Sequence, residues 1–583
     1  MPLIGTAGHV DHGKSTLVER ITGRDPDRWD EEKRRGLTID LGFSWTTLPG
    51  GTEVSFVDVP GHERFLKNML AGIEAIDVAL FVVAADEGWM PQSEEHLAVI
   101  DLLGVERAVV ALTKTDIVDA DMVELASAEI EDQLEGTSLE GSPIVAVSAL
   151  TGTGVDALLE TLEDLVEEQA EPGDRPRLWV DRAFSVAGAG TVVTGSLLGG
   201  SLAIGDGVEI YPRGIKGRVR GLQSHERSHE IVAPGRRVAI NVGGVDHNEV
   251  TRGDMVGHPG RWETSARFSV SLRHARFVDR IDARGAYQLH LGSSALLADI
   301  VDIEDDLAVL RIDRPMPIAV GDRFILRDTG RHLVIGGGRV LDPGPGRTKR
   351  ALRQARAIDP GGKPNEIAER LLQWRRIDRV PRLQAHTSGG TPNAVIVGDR
   401  AVDPGLVAEL SDRAARLVHD EHELHPLRPG LSMATLAERL RVEADLAERI
   451  VELAPGLERR GPDVATSDHD ASLTAEQDAS WERARGRLSA DLAVPDEGDL
   501  GLDPEVLHLK VRAGDLVRVG ADLVYLPEQI ETMKAQLATL PDDFTVAQFR
   551  DAAGLSRKYA VPFLEWCDKE GLTLRRGDLR RLR

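Results

Sequence analysis

The segment Gly8-His9-Val10-Asp11-His12-Gly13-Lys14-Ser15 constrains this chain more than any other stretch. It has the spacing G-x-x-x-x-G-K-[ST], with a short apolar lead (Leu3, Ile4) before it and a helical run from Ser15 to Ile21 after it. A strand that breaks at such a loop and restarts as a helix turns successive backbone N–H groups inward, forming a concave nest for phosphate oxygens. Lys14 then offers a point charge to the β- and γ-phosphates, and the Ser15 hydroxyl is placed to ligate Mg²⁺. The expected phosphate-binding segment runs from Gly8 to Thr16. A plain Gly-rich turn would account for the loop alone, but not for the motifs that follow it in order.

Up to about residue 170, apolar strands alternate with helical patterns: Pro2–Ala7, Glu53–Val59, Val78–Ala84, Ala108–Thr113 and Pro143–Ser148 as strands, Glu63–Ile73 and Ser93–Leu103 as helices. That alternation predicts a doubly wound α/β sheet with ligands at the carboxyl ends of its strands. Each further motif falls there. Asp58-Val59-Pro60-Gly61-His62 sets an aspartate to hold Mg²⁺ through water and a glycine N–H to meet the γ-phosphate. In Thr113-Lys114-Thr115-Asp116 the Asp116 carboxylate can accept from both N–H donors on guanine's edge, a pair that adenine lacks. Ser148-Ala149-Leu150 can contact the guanine O6 through backbone N–H, although taken alone it reads as an ordinary turn.

These strings, with Arg35-Gly36-Leu37-Thr38-Ile39, resemble the translational GTPases related to elongation factor Tu. The resemblance implies GTP/GDP as ligand and a ribosome-stimulated GTPase. It implies that Thr38 completes the Mg²⁺ shell with Ser15 and Asp58, that His62 positions the attacking water, and that Val10 and Leu37 flank it as a gate. The family usually has Asn where this chain has Thr113; a threonine hydroxyl can still reach the base and the phosphate loop.

Glu171-Pro172-Gly173-Asp174-Arg175-Pro176 reads as a linker. Two stretches of short β segments with Gly turns follow, over residues 176–260 and 263–346, and predict two small β-barrels. Asp181 and Arg182 fall on the strand entering the first barrel, and Arg237 follows a Pro-Gly turn. As isolated charges they read as a solvated barrel face. The wider resemblance, to selenocysteine-specific elongation factors, implies that Asp181, Arg182 and Arg237 surround the aminoacyl group on tRNA. A selenol is mostly anionic at neutral pH and a serine hydroxyl is not, so two guanidiniums suit that discrimination.

From 362 to 583 the composition turns helical with short hairpins, predicting about four winged-helix units, the last at about 535–583, with Asp463–Ser480 as a loose polar connector. The formal charge of −26 argues against a protein that coats nucleic acid indiscriminately, so RNA must be held by local patches. The last unit has one: five arginines and one acid lie between Gly571 and Arg583. Arg557, Lys558, Tyr559, Arg575, Arg576, Arg580 and Arg581 are the expected RNA-facing set. Ser556–Ala560 resembles the RNA-gripping end of bacterial members of that family.

The expected function is GTP-dependent delivery of selenocysteinyl-tRNA to the ribosome at UGA, tethered to an mRNA hairpin. A general tRNA-delivery or initiation GTPase, and a GTP-switched winged-helix regulator of nucleic acid, are the alternatives. With no apolar run of membrane length, no export leader and a single cysteine, Cys567, the expectation is a cytoplasmic monomer without disulfides or membrane contact.

Overall fold

The computed structural model describes residues 2–25, 41–59, 76–166, 173–188, 190–346 and 350–583. Residues 35–39 with Thr38, then Gly61 and His62, the helix expected over 63–73, and the basic residues Arg347 and Lys349 lie outside the described residues. The chain divides into two compact bodies, Met1–Asp403 and Pro404–Arg583.

The first body opens with a six-stranded sheet in the order Gly42–Thr47, Glu53–Asp58, Leu3–Ala7, Val78–Ala84, Ala108–Thr113, Ile144–Ala146. The strands at its centre are buried along their whole length, as parallel strands covered on both faces must be. The edge strand Gly42–Thr47 is antiparallel to its neighbour and was not expected from sequence. It is short and only half buried, so its pattern carries little periodicity. The helices Lys14–Thr22, Pro91–Leu103, Ala120–Leu134 and Val155–Leu165 flank the sheet.

Two β-barrels follow. The first is a ring of six strands, closed where Gly207–Tyr211 pairs with Ile215–Ser224, and filled by inward residues such as Val193, Leu197, Val238 and Ile240. The second closes where Thr264–Ser271 pairs with Leu333–Asp342. Arg177 locks the two together: its guanidinium reaches Asp322 at 2.5 and 2.9 Å and lies over Trp179 and Trp262. Asp181 sits between the strand Asp174–Trp179 and the strand Arg182–Val186, so the entering strand ends earlier than its sequence suggests.

A helix pair, Pro364–Arg375 and Val380–His386, with a three-stranded sheet completes this body. It shares one apolar core with the second barrel, joining Leu307, Val309 and Leu341 to Leu371, Leu372 and Leu383. Arg375, buried beneath that junction, donates to Asp342 at 2.5 Å and Asp378 at 2.6 Å.

The second body repeats a helix–helix–hairpin plan. Its sheets are formed by Leu431–Ser432, Asp463–Thr466 and Leu457–Arg460; by Val517–Arg518 and Val524–Tyr525; and by Asp543–Thr545, Leu579–Leu582 and Thr573–Arg576. The loose connector expected over 463–480 is confined to residues 467–474. Asp463–Thr466 is a paired strand, and a helix starts at Ala475, capped reciprocally by Thr474 and Gln477. That helix buries only Trp481, Ala484 and Leu488, so its composition is polar although its fold is regular.

Candidate functional site

The phosphate loop leaves the buried strand Leu3–Ala7 and enters the helix Lys14–Thr22. Two glycines make the turn. Gly8 has φ +123° and its Cα comes so near the Val82 carbonyl that a Cβ would lie 2.1 Å from that oxygen; Gly13 has φ +83° at the helix start. Lys14 is buried and bends back across the loop, donating to the carbonyls of Gly8 (3.0 Å) and His9 (2.6 Å). Burial lowers its ammonium to about 8, against the pull of Asp58 and Asp11.

The Ser15 hydroxyl meets Asp58 Oδ2 at 2.6 Å, while the Thr6 hydroxyl donates to Asp58 Oδ1 at 2.7 Å. Thr6 also accepts from the Val59 N–H at 3.0 Å, so the carboxylate is oriented from its far side. Ser15 and Asp58 thus present a hard-oxygen pair at the mouth of the loop, the donor set that Mg²⁺ takes.

Thr113 is buried and donates to the His12 carbonyl at 2.7 Å, bracing the loop from behind. Lys114 has φ 58° and its ammonium lies 3.0 Å from Glu87 and 3.3 Å from Asp86. Asp116 is exposed in the turn beyond. Ser148 is buried and its hydroxyl accepts from Thr151 N–H at 3.1 Å, while Leu150 stands 81% exposed at the same rim. Asp11 and Thr16 are exposed, and His9 and Val10 half-buried, on the open side of the loop.

Two partners were missed in the sequence. Gln92 and His96, four residues apart on the helix Pro91–Leu103, accept from the loop N–H groups of Val10 (3.0 Å) and Gly8 (2.9 Å). Burial, reinforced by Lys14 and His9, lowers His96 to about 3, so its Nδ1 is a neutral acceptor. The legible signal was two polar residues at i and i+4 within an otherwise apolar helix face. His12 is also buried, lowered to about 4 by burial, with its Nδ1 3.3 Å from the Val82 carbonyl.

On the first barrel, Asp181 and Arg237 come together. Arg237 donates through Nε (3.1 Å) and Nη2 (2.8 Å) to Asp181 Oδ2, and Nη2 also reaches Oδ1 at 3.0 Å and the Thr194 hydroxyl at 3.1 Å. Thr194 in turn donates to Asp181. Arg182 stands opposite Thr194 in the neighbouring strand register. The guanidinium of Arg237 lies 4.0 Å over the ring of Phe43, a residue of the sheet's edge strand.

In the second body, Arg557, Arg575 and Arg576 are exposed. Lys558 is exposed and pairs with Asp496 at 2.7 Å; Arg581 is paired in fork geometry with Asp543 at 2.9 and 2.5 Å. Tyr559 is half-buried against the apolar core. Arg580 departs from expectation: it is 4% exposed and donates to Asp568 at 2.9 Å. Alternation along the strand Leu579–Leu582 turns Arg580 inward, the one buried residue of the four, as a structural residue rather than a phosphate contact.

Comparison with known proteins follows the same division. Residues 1–168 match the elongation factor Tu GTP binding domain, 190–257 elongation factor Tu domain 2, 266–347 the selenocysteine-specific elongation factor beta-barrel domain, and 535–582 the elongation factor SelB winged helix. A selenocysteine-specific elongation factor of Desulfomicrobium baculatum is 33% identical over 100% of both chains. The chain belongs to the selenocysteine-specific elongation factors. The Escherichia coli (strain K12) factor is 32% identical, over 99% of this chain and 98% of its own. A crystal structure of a bacterial selenocysteine-specific elongation factor superposes with a TM-score of 0.71 at 28% identity, covering 100% of both chains. The protein is thus a translational GTPase with two β-barrels and a C-terminal winged helix. Among the described residues, no helix is long and apolar enough to cross a membrane.

Proposed function

We propose that this chain carries selenocysteinyl-tRNA to the ribosome as a GTP complex, and that its last winged-helix unit holds a hairpin in the message while it does so. The observation that carries the reading is the Asp181–Arg237 pair. Its bonds occupy the Nε and Nη2 groups of the guanidinium, and among the described residues Nη1 makes no hydrogen bond. Asp181 therefore fixes the direction in which Arg237 offers its remaining N–H groups. With Arg182 opposite Thr194 on the adjoining strand, a second guanidinium on this part of the barrel would favour an anionic selenolate over a neutral hydroxyl.

At the nucleotide site, the loop N–H groups and Lys14 hold the β- and γ-phosphates, whose negative charge raises the lowered pKa of the ammonium again. Asp116 selects guanine, with Ser148, Ala149 and Leu150 against O6. Ser15 directly and Asp58 through water would hold Mg²⁺, with Thr38 completing the shell; when bound, the ion neutralises charge on the phosphate oxygens. His62 orients the attacking water. In the C-terminal unit Arg557, Lys558, Arg575 and Arg576 meet phosphates of the hairpin, and the location of the whole cycle is the cytoplasm.

The test compares selenocysteinyl-tRNA with seryl-tRNA on the same tRNA body, with a GTP analogue present. Arg182→Ala and Arg237→Ala should each cost the selenocysteinyl form more than the seryl form. Equal losses would make these residues contacts to the tRNA body alone, and the delivery reading would lose its specificity step.

A further inference from the structure

Five cations and no acid lie between Arg347 and Arg356, in a chain whose net charge is −26. The helix Arg350–Ala355 falls within this stretch, just after the last strand of the second barrel. It buries Ala351, Leu352 and Ala355, and Leu352 and Ala355 join the core that holds Leu307 and Leu371. Helical spacing then sets Arg350, Arg353 and Gln354 together on the other face. Arg356 turns elsewhere, to Asp305 at 3.1 Å and Asp306 at 3.6 Å. Arg350 and Arg353 are exposed, and among the described residues neither makes a hydrogen bond or an ion pair.

These side chains form one wall of a cleft of about 790 Å³. Glu304, at the end of a barrel strand, and Trp374, on the helix Pro364–Arg375, line the rest. Trp374 is half-buried: it packs on the apolar core behind it and reaches the cleft in front. Three elements distant in sequence thus bring two unmatched guanidiniums, an amide and an indole to one opening, with a single carboxylate among them. Cations one helical turn apart suit neighbouring phosphates of one strand, and an aromatic ring suits a base taken out of its stack. An acidic peptide would pair the cations but leave the ring without a role, and an apolar ligand would leave the cations without partners.

We propose that this cleft grips the body of the tRNA, taking a splayed nucleotide with its base on Trp374 and its flanking phosphates on Arg350 and Arg353. The proposal rests on the reading of this chain as a carrier of aminoacyl-tRNA. The choice of tRNA over the message follows from the division of the chain: the cleft belongs to the body that holds Asp181, Arg182 and Arg237, whereas the arginine-rich hairpin belongs to the other. The Glu304 carboxylate repels phosphate from its side of the opening, which gives a strand one direction through it. Because the cleft meets RNA and not the esterified amino acid, it strengthens every aminoacyl form alike.

The experiment uses the full chain with a GTP analogue and titrates selenocysteinyl-tRNA and seryl-tRNA over a range of salt, with a stem–loop RNA from a UGA-containing message as a separate arm. Arg350→Ala/Arg353→Ala should weaken both aminoacyl forms about 5- to 30-fold, leave their ratio in place, and flatten the dependence of log Kd on log salt by about two contacts. Arg350→Lys/Arg353→Lys, which keeps the charges, should keep the salt slope. Trp374→Leu should cost both forms about 5- to 100-fold, and Trp374→Phe, which keeps a stacking face, markedly less. The stem–loop should bind every variant as it binds the parent. Guanine nucleotide affinity and the melting transition confirm that each variant is folded. Unchanged tRNA affinity in the double Ala variant overturns the proposal while the delivery reading stands. Trp374→Leu and Trp374→Phe binding alike overturns the stacking role. A loss confined to the selenocysteinyl form, or to the stem–loop, shows that the cleft serves another ligand group and overturns the proposal. A parent chain that binds neither aminoacyl-tRNA overturns the delivery reading and this proposal with it.

Discussion

Thr113 offers the sharpest test of how the nucleotide loop is held, because the family habitually has another residue there. Its hydroxyl makes one short bond, 2.7 Å to the His12 carbonyl, and a longer one, 3.3 Å to the Val83 carbonyl. Thr113→Val keeps the β-branched shape that suits the buried strand and deletes only the donor. The His12 carbonyl is then left in a buried place without that partner. Such a loss costs about 1–2 kcal/mol, toward the lower end of the penalty for an unsatisfied buried group because loop carbonyls can relax toward water. His12 immediately precedes Gly13 and Lys14, so the cost falls on the conformation that receives phosphate. Converted to affinity, that is roughly a 5- to 30-fold rise in Kd for guanine nucleotide. Equilibrium titration with a fluorescent GDP at fixed Mg²⁺ reads it directly. Thr113→Ser, which retains the hydroxyl, should stay within about 3-fold of the parent. The reasoning is refuted if Thr113→Val binds as tightly as Thr113→Ser, because the hydroxyl would then do nothing that the packed methyl groups do not.

Three further outcomes follow from the same geometry. His96 is held neutral with its pKa lowered to about 3, against an unfolded value near 6.5; its contribution is complete above about pH 6.5 and falls as acid is added, by about 2 kcal/mol at pH 5. The protection factor of the Gly8 amide, its exchange rate referred to the intrinsic rate at each pH, should fall over that window, and His96→Asn, which keeps an acceptor but no titrating group, should flatten the dependence; an equally steep profile in the variant would contradict the assignment. Arg375→Ala strands Asp342 and Asp378 under the junction of second barrel and first helix pair, at a cost of about 3–5 kcal/mol, visible as an earlier melting transition and faster proteolysis near residue 346. In the last unit, Arg576→Ala should weaken hairpin RNA binding and reduce its salt dependence by about one phosphate contact, whereas Arg580→Ala should lower the unit's stability through the loss of its bond to Asp568; the reverse pattern would put the inner and outer faces of the hairpin the wrong way round.

What was legible in the sequence follows the range over which each feature is determined. The phosphate loop, the strands before each nucleotide motif and the final helix–turn–helix are local patterns, and the helices found at Val546–Ala553 and Arg557–Lys569 fall where the periodicity put them. The helix from Ala475 was equally local: Thr474 and Gln477 spell a capping box, and its polar faces hid it only from a reading by composition. The partners of the loop were not legible. Gln92 and His96 lie more than eighty residues from the groups they serve, and no local pattern says which face of a helix meets a loop. The same holds for Phe43, whose strand is short, antiparallel and at the sheet's edge. Arg580 failed for another reason. A run of arginines was read as a single surface, when alternation along a strand must send some of them inward.

Under the proposed function, a chain with a charge of −26 has to hold RNA through local patches. Many of its arginines are already matched. Arg177 is paired with Asp322, Arg375 with Asp342 and Asp378, and Arg237 with Asp181. In the final unit, Arg580 is matched by Asp568, Arg581 by Asp543 and Lys558 by Asp496. A phosphate approaching Lys558 or Arg581 must compete with a carboxylate already in place, and exposed pairs of this kind are weakly held. Competition at that level subtracts little from a ligand that makes several contacts at once, and proportionately more from one that makes a single contact. Arg557, Arg575 and Arg576 remain open to any polyanion, so they supply attraction without selection. The paired cations add a threshold, which an RNA crosses only when its shape brings phosphates to both kinds of site together. Under the proposed function, a strongly acidic chain keeps random RNA off the rest of its surface, and the last unit would hold its hairpin by geometry rather than by charge alone.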